Sequence, residues 1–208
     1  MKVSYAITVC NEQAEIIKLV ELLLDTIRDE DEIVVLYDQT NGNSEIPDWL
    51  RKHTDKDNFD FRKGYFKGHF ANWKNTLTEY CTGDYIFQID ADEFPHKSLI
   101  TSLPLILAAN PTNEVYLVPR VNTVEGLTEE HISRWGWKVD DKGWVNYPDY
   151  QWRIWKNKPE IKWKHKVHEV LEGYQTYAPL PAKEELSLYH PKGIERQEKQ
   201  NAYYDTLG

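Results

Sequence analysis

The sequence predicts a single α/β domain of Rossmann-like type, with a central, mostly parallel sheet flanked by helices. Over residues 1–110, short apolar segments typical of strands alternate with segments of helical periodicity. The segment 33–37 is apolar at every position, which indicates a strand buried on both faces. Repeated strand–helix units favour parallel pairing with helices on both sides. The 208 residues suit one domain with two halves, 1–110 and 111–208.

The individual elements follow from apolar spacing and from glycines. Strands are predicted at 3–9, 33–37, 59–62, 85–89, 114–120 and 151–156, and helices at 12–28, 47–53 and 69–80. Gly83 ends the helix that precedes the strand at 85–89. In the strand at 151–156, alternation places Trp152 and Ile154 on one face. From 121 to 148 the periodicity fades. From Ile194 the pattern is again helical, and the sequence stops within it at Gly208. We therefore consider that the chain is the amino-terminal piece of a longer protein.

Composition excludes several classes of function. The chain has 34 acidic and 25 basic residues, a net charge of -9, so it lacks the basic surface that nucleic-acid binding needs. No apolar run approaches the roughly 20 residues that cross a bilayer, and the amino terminus does not resemble a signal peptide. The two cysteines, Cys10 and Cys81, form no metal or redox motif. We therefore expect a soluble, cytoplasmic protein with no nucleic-acid partner.

Acidic residues follow three of the predicted strands. Glu12, Asp38 and the segment Asp90-Ala91-Asp92 all come directly after strands. Because the carboxyl ends of parallel strands meet at one edge of a sheet, these acids would repel each other without a cation. Two carboxylates on either side of a small residue suit Mg²⁺ or Mn²⁺, which can bridge the phosphates of a nucleotide diphosphate. The alternative is a solvated acidic turn.

The sequence resembles the glycosyltransferases of the GT-A fold, in their family 2-like branch. The segments that carry the resemblance are Asn11-Glu12, Asp38 with the polar loop 40–44, Gly83 to Glu93 with its Asp-x-Asp motif, Phe70 to Asn75, Trp163 to Glu169, Tyr189-His190, and Arg196 to Leu207. Lys74 stands where that branch usually has arginine. The likeness extends to transferases of bacterial lipopolysaccharide cores and to those of large viruses and phages, for which the cytoplasm would be the host's.

The resemblance implies a metal-dependent glycosyltransferase of glycan biosynthesis. It would move a sugar from a nucleotide diphosphate, most simply a UDP-sugar, to a glycan hydroxyl, with Mn²⁺ or Mg²⁺. The implied nucleotide-binding residues are Thr8, Val9, Glu12, Asp38, Lys74, Asp90 and Ala91. Asp92 would be the principal metal ligand, with Asp90 and His190, and Asp92 and Glu169 the catalytic residues. Glu169 would face the acceptor and take its proton. Arg153, Lys192, Trp135 and Trp137 are candidate phosphate or acceptor contacts.

Other interpretations of the same residues stay open. His165, His168 and His190 are three potential ligands of a zinc-dependent hydrolase. The 8 Trp, 13 Tyr and 6 Phe suit a non-catalytic carbohydrate-binding module, because flat rings stack on sugars, although composition alone favours core filling. Lys74 and Arg153 are alternatively solvated side chains, and 162–169 is alternatively a basic strand edge.

Overall fold

The structure, a computed structural model, describes the backbone of residues 1–205 and the side chains of residues 1–199. Its strands are β1 (Val3–Val9), β2 (Glu32–Asp38), β3 (Phe59–Gly64), β4 (Tyr85–Asp90), β5 (Phe94–Pro95), β6 (Val115–Glu125), β7 (Val145–Lys156), β8 (Lys162–Lys164), β9 (Val170–Glu172), β10 (Tyr177–Pro179) and β11 (Leu188–Gly193). Its helices are α1 (Gln13–Thr26), α2 (Glu45–Arg51), α3 (Phe70–Thr78), α4 (Lys97–Ala109), α5 (Glu129–Trp135) and α6 (Ile194–Asp205). Leu207 and Gly208 lie outside the described residues. Within residues 1–205, no helix combines the length and apolarity that crossing a membrane requires.

Strands from both halves of the chain form one mixed sheet in the order β3-β2-β1-β4-β7-β6-β11-β5, with β10 paired to β6. β1 is parallel to β2 and β4, and β2 is parallel to β3. β7 is antiparallel to both β4 and β6, so it joins the two halves. β8 and β9 form a separate antiparallel hairpin. The predicted central, mostly parallel sheet is confirmed, and β1, β2 and β4 all end at the same edge.

Helices pack on both faces of this sheet because successive strand residues point to opposite sides. Tyr5 and Phe87 belong to the apolar cluster that contains residues of α1 and α4. Their neighbours Ala6 and Ile86 belong to the cluster that contains residues of α3 and the β8–β9 hairpin. Residues 33–37 are buried at every position, as predicted for a strand covered on both faces.

Glu32 stabilises the edge of the sheet at which β1, β2 and β4 begin. Its carboxylate accepts hydrogen bonds from Nζ of Lys2 at 2.6 Å, Oγ of Ser4 at 2.6 Å and the backbone N–H of Thr82 at 2.6 Å. Burial by itself raises the pKa of this carboxyl, but these hydrogen bonds outweigh it and hold the pKa below its ordinary value. Glu32 therefore ties the start of β2 to β1 and to the loop before β4.

The second half of the chain departs most from the sequence predictions. Trp152 packs with the cluster beside α3 whereas Ile154 lies in the opposite cluster, so the prediction that they share a face was wrong. The cause is a register shift between Tyr116 and Leu117, where β7 carries an extra residue against β6. Two helices were not predicted. α4 has apolar residues at helical spacing, but its Pro104 is a residue that usually breaks a helix interior; none of the residues of α5 is buried, so α5 has no apolar face.

Candidate active site

Two cavities meet at the edge of the sheet where β1, β2 and β4 end. The N-terminal cavity, of about 610 Å³, is lined mainly by residues that follow these strands. The C-terminal cavity, of about 560 Å³, is lined mainly by β6, β7, β11 and their flanking segments. The two cavities share one wall, which consists of Lys74, Asp90, Asp92, His168 and Glu169.

The N-terminal cavity brings together the residues that the resemblance assigns to nucleotide binding. Its lining includes Thr8, Val9, Glu12, Asp38, Lys74, Asp90 and Ala91. They reach it from the ends of three parallel strands and from α3, which lies against the same face. Their contact with a nucleotide stays a prediction, but the fold places them in one concave surface of the size that a small ligand occupies.

Asp38 also organises the loops around that cavity. Its Oδ1 accepts hydrogen bonds from the backbone N–H of Thr40 at 2.8 Å and of Phe66 at 3.0 Å. Burial raises the pKa of the Asp38 carboxyl, but the bonds from Phe66 and Thr40 more than compensate, so the pKa lies below its ordinary value. Oδ2 lies 3.6 Å from Sγ of Cys10. The sequence interpretation assigned Asp38 only to the ligand and missed this structural role.

A buried ion-pair network lies beneath Asp90. Nη2 of Arg153 donates to Oδ2 of Asp90 at 2.5 Å and to Oε1 of Glu93 at 2.7 Å. The same Glu93 oxygen accepts from Nη1 of Arg120 at 2.9 Å, and Arg120 also pairs with Asp149 at 2.6 Å. Glu93 is 0% exposed and Arg153 is 3% exposed. Burial opposes ionisation of Glu93, but the two guanidinium groups hold its pKa well below the ordinary value.

The network changes the interpretation of Arg153. A solvated side chain was one alternative, and its burial shows that this was wrong. The guanidinium lines the C-terminal cavity but is already engaged by Asp90 and Glu93. Arg153 therefore fixes the orientation of the Asp90 carboxylate from below. Lys192, the other basic candidate, lines the same cavity, and burial lowers the pKa of its ammonium group, with Arg120 acting in the same direction.

Asp92 and His190 converge on one point above the network. Nε2 of His190 lies 3.3 Å from Oδ2 of Asp92, and Nδ1 of His190 lies 2.8 Å from Oδ1 of Asn122. His190 is buried, on β11 beside β6. Nη2 of Arg196 also approaches Oδ2 of Asp92, at 3.1 Å, and reaches Glu12 at 3.6 Å. Burial raises the pKa of Asp92, but the hydrogen bond from His190 and the charge of Arg196 act in the other direction, and the pKa lies below its ordinary value.

The side chains around Asp92 fit a divalent cation only in part. Among residues 1–199, no group of three or more His, Cys, Asp or Glu side chains is close enough to hold a metal ion. Asp92 and His190 converge, whereas the third predicted ligand, Asp90, pairs with Arg153. Mg²⁺ sites commonly use one or two carboxylates, with substrate phosphates and water supplying the rest. Asp92 suits that kind of site, with His190 beside it, and a diphosphate would complete the coordination.

The positions of the histidines contradict the zinc alternative. A three-histidine site requires His165, His168 and His190 within bonding distance of one ion, and the described residues form no such group. His168 lines both cavities and His190 lines the C-terminal one, but His165 is exposed on the loop after β8. His165 therefore lies apart from the cavity that His168 and His190 share, and no three-histidine site forms in the part of the chain that the structure describes.

Lys74 and Glu169 form an ion pair in the shared wall. Nζ of Lys74 bonds to Oε1 of Glu169 and lies 4.5 Å from the centre of the Trp163 ring, within cation–π distance. Lys74 is 9% exposed, so the alternative of a solvated side chain was wrong for this residue too. The resemblance placed Lys74 with the nucleotide and Glu169 with the acceptor. The structure joins the two residues to each other.

The tryptophans differ in their access to the cavities. Trp155 and Trp163 are buried in the core, as composition alone favoured, although Trp163 also contributes to the lining of the C-terminal cavity. Trp137 lines the C-terminal cavity, and Trp135 packs against it with ring centroids 4.6 Å apart but does not reach the described lining. Trp152 also lines this cavity and was not among the candidates. Only part of the aromatic content is therefore available to a ligand.

Several residues of the site were missed because their roles depend on sheet order. Glu93, Arg120, Asn122 and Asp149 come together across β4, β6 and β7. Glu93 carried a signal, since it directly follows the acidic pair. Arg120 and Asp149 lie in segments with no motif, and their pairing follows only from the antiparallel register of β6 and β7.

Comparison with known families identifies the class of protein. A family profile described as glycosyl transferase family 2 matches residues 4–177. The chain therefore belongs to glycosyl transferase family 2, and its fold is of the GT-A type. A comparison with curated proteins gives no match.

Solved structures with the same fold include S. aureus TarS 1–349, which has a TM-score of 0.65 at 14% identity over 92% of this chain and 60% of TarS 1–349. The structure of S. aureus TarS 1–349 in complex with UDP-GlcNAc also matches with a TM-score of 0.65 at 14% identity, over 92% of this chain and 59% of that one. The mannosyltransferase PcManGT from Pyrobaculum calidifontis, in complex with GDP-Man and Mn²⁺, matches with a TM-score of 0.47 at 19% identity, over 64% of this chain and 46% of that one. The present chain thus spans about 60% of the length of TarS 1–349. At 14% identity the likeness to S. aureus TarS 1–349 establishes the fold alone.

Proposed function

We propose that this protein transfers a sugar from a uridine diphosphate sugar to a hydroxyl group of a glycan, with the help of Mn²⁺ or Mg²⁺. The observation that carries the proposal is the wall shared by the two cavities. A donor in the N-terminal cavity and an acceptor in the C-terminal cavity would meet at Asp90, Asp92 and Glu169. The alternative, a non-catalytic carbohydrate-binding module, does not require a second cavity lined by the acidic residues at the strand ends. The complex of S. aureus TarS 1–349 with UDP-GlcNAc supports a uridine donor.

Each part of the site has a role in this reaction. Thr8, Val9 and Asp38 would hold the nucleoside in the N-terminal cavity, and the cation, on Asp92 and His190, would neutralise charge on the departing diphosphate. Lys192 and Trp137 would contact the phosphate or the acceptor from the C-terminal cavity. Trp135 would support Trp137 from behind.

Glu169 is the proposed general base. As the acceptor hydroxyl oxygen forms its bond to the anomeric carbon, the bond from that carbon to the diphosphate breaks and the hydroxyl proton passes to Glu169. Attack from the side opposite the diphosphate inverts the anomeric configuration. Proton NMR of the product tests this, because the anomeric coupling reports the configuration. A product with the configuration of the donor contradicts the role of base.

Titration calorimetry tests the nucleotide and metal assignments together. Without a cation, Asp90 and Asp92 face the diphosphate charge directly, so UDP should bind at least about tenfold more tightly in Mn²⁺ than in chelator. Asp92→Asn should remove this difference while the melting temperature is retained, because Asp92 is outside the apolar core. Asp25→Asn is the matched control, since Asp25 pairs with Lys97 on an exposed surface. Equal affinity for UDP in Mn²⁺ and in chelator contradicts the proposal.

A further inference from the structure

We infer that Lys74 is a positioning residue, which orients the base Glu169 and does not bind the diphosphate. This inference rests on the proposed function. Lys74 and Glu169 are 95 positions apart in the chain, yet their side chains form an ion pair in the wall between the cavities. A base that is itself oriented by a third group is the general arrangement in enzymes that activate a nucleophile.

The ion pair uses only one of the two oxygens of Glu169. Lys74 bonds to Oε1, so Oε2 is not engaged by this contact. Glu169 lines both cavities, which places its carboxylate in the wall where the acceptor hydroxyl and the anomeric carbon would meet. Holding one oxygen fixes the rotamer of the side chain, while the other accepts the proton. A carboxylate held in this way has both of the properties that a general base needs, reach and fixed geometry.

The environment of Lys74 opposes a second role at the phosphates. Its ammonium group lies over the face of Trp163, its side chain is largely buried, and one of its three donors is used by Glu169. Movement toward a diphosphate would cost the cation–π contact and leave Glu169 without its partner in a largely buried position.

The whole of α3 supports the loop that carries Glu169. The backbone N–H of Phe70 donates to the carbonyl of Lys166 at 3.0 Å. The Asn75 side chain donates to the carbonyl of Trp163 and accepts from its N–H, each at 2.9 Å. His168, directly before Glu169, has a φ of 53°, in the left-handed region that few non-glycine residues adopt. The helix therefore fixes the loop at its backbone, and Lys74 completes the alignment at the side chain.

A double-variant cycle tests the inference. Single-turnover UDP release is measured for the wild type, Lys74→Met, Glu169→Gln and the double variant, with the UDP-sugar that the wild type cleaves fastest among UDP-glucose, UDP-galactose and UDP-GlcNAc. We expect Lys74→Met to slow release by up to about 100-fold. The double variant should be within about threefold of Glu169→Gln, because two residues that act as one unit are not additive. Lys74→Arg should restore most of the rate.

Binding measurements separate this inference from its rival. Lys74→Met should bind UDP with Mn²⁺ within about twofold of the wild type, and Lys97→Met, which removes an exposed ion pair, should match the wild type in every assay. A tenfold loss of UDP affinity in Lys74→Met, additive rate losses, or an unchanged rate would each overturn the positioning role. A wild type that binds no UDP in Mn²⁺ overturns the proposed function, and the inference with it.

Discussion

Replacing Glu93 with Gln should lower the free energy of unfolding by about 3–5 kcal/mol, the usual loss when one partner of a buried ion pair is removed. The carboxylate is 0% exposed and accepts from Arg153 at 2.7 Å, from Arg120 at 2.9 Å and from the backbone N–H of Asp90 at 3.2 Å. An amide keeps the volume but has only one acceptor atom. Both arginines donate to Oε1, so the amide oxygen can keep these bonds but without the charge; two hydrogen bonds to a charged group are worth about 3–6 kcal/mol together, an upper bound that includes the expected range.

Denaturation in urea measures this effect, because a shift of the midpoint at constant slope reports stability alone. The matched control is Glu184→Gln. Glu184 also pairs with a basic residue, Lys142, but at the surface, and its replacement should leave the midpoint within error. A loss below about 1 kcal/mol for Glu93→Gln would refute the reasoning, since it would mean that the two arginines find other partners or solvent.

Two further predictions concern the edges of the sheet. The folded-state pKa of Glu32 lies below its ordinary 4.5, so the stabilisation that Glu32 provides is present above that pH and is lost as the pH falls further. Urea midpoints measured between about pH 3 and 6 should therefore fall less steeply with decreasing pH in Glu32→Gln than in the wild type. Equal slopes in the two proteins would contradict this. Asp38→Ala should lose about 1–3 kcal/mol of stability as well as UDP affinity, because the N–H groups of Thr40 and Phe66 lose their acceptor. Unchanged stability with weaker UDP binding would mean that Asp38 contributes to ligand binding and not to the stability of the loops.

The sequence was most informative where the chemistry is contiguous in the chain. Asp90, Ala91 and Asp92 follow a strand that is apolar almost throughout, so both the strand and its acidic end were predictable. The strands and helices up to residue 90 were found to within a few residues, because each has its own periodicity or glycine signal. The order of β1, β2 and β4 then placed Thr8, Asp38 and the acidic pair at one edge.

What the sequence could not predict are the partners of these groups. Arg153 lies 60 positions from Glu93, and only the antiparallel insertion of β7 beside β4 brings them together. Lys74 was assigned to the nucleotide because it stands where the resembled branch usually has arginine. Its partner Glu169 is contributed by a loop whose path no local pattern indicates.

The long antiparallel pair of β6 and β7 has a consequence for how the protein could diversify. The segment 126–144 leaves the sheet after Glu125, contributes Trp137 to the lining of the C-terminal cavity, and returns at Val145. Both of its ends are anchored in paired strands, and each doubling of a loop's length costs only about 0.6 kcal/mol in closure entropy. Insertions here would reshape the surface above one cavity and leave the strands that build the other untouched. Under the proposed function, changes in this segment would alter the acceptor site and leave the donor site unchanged.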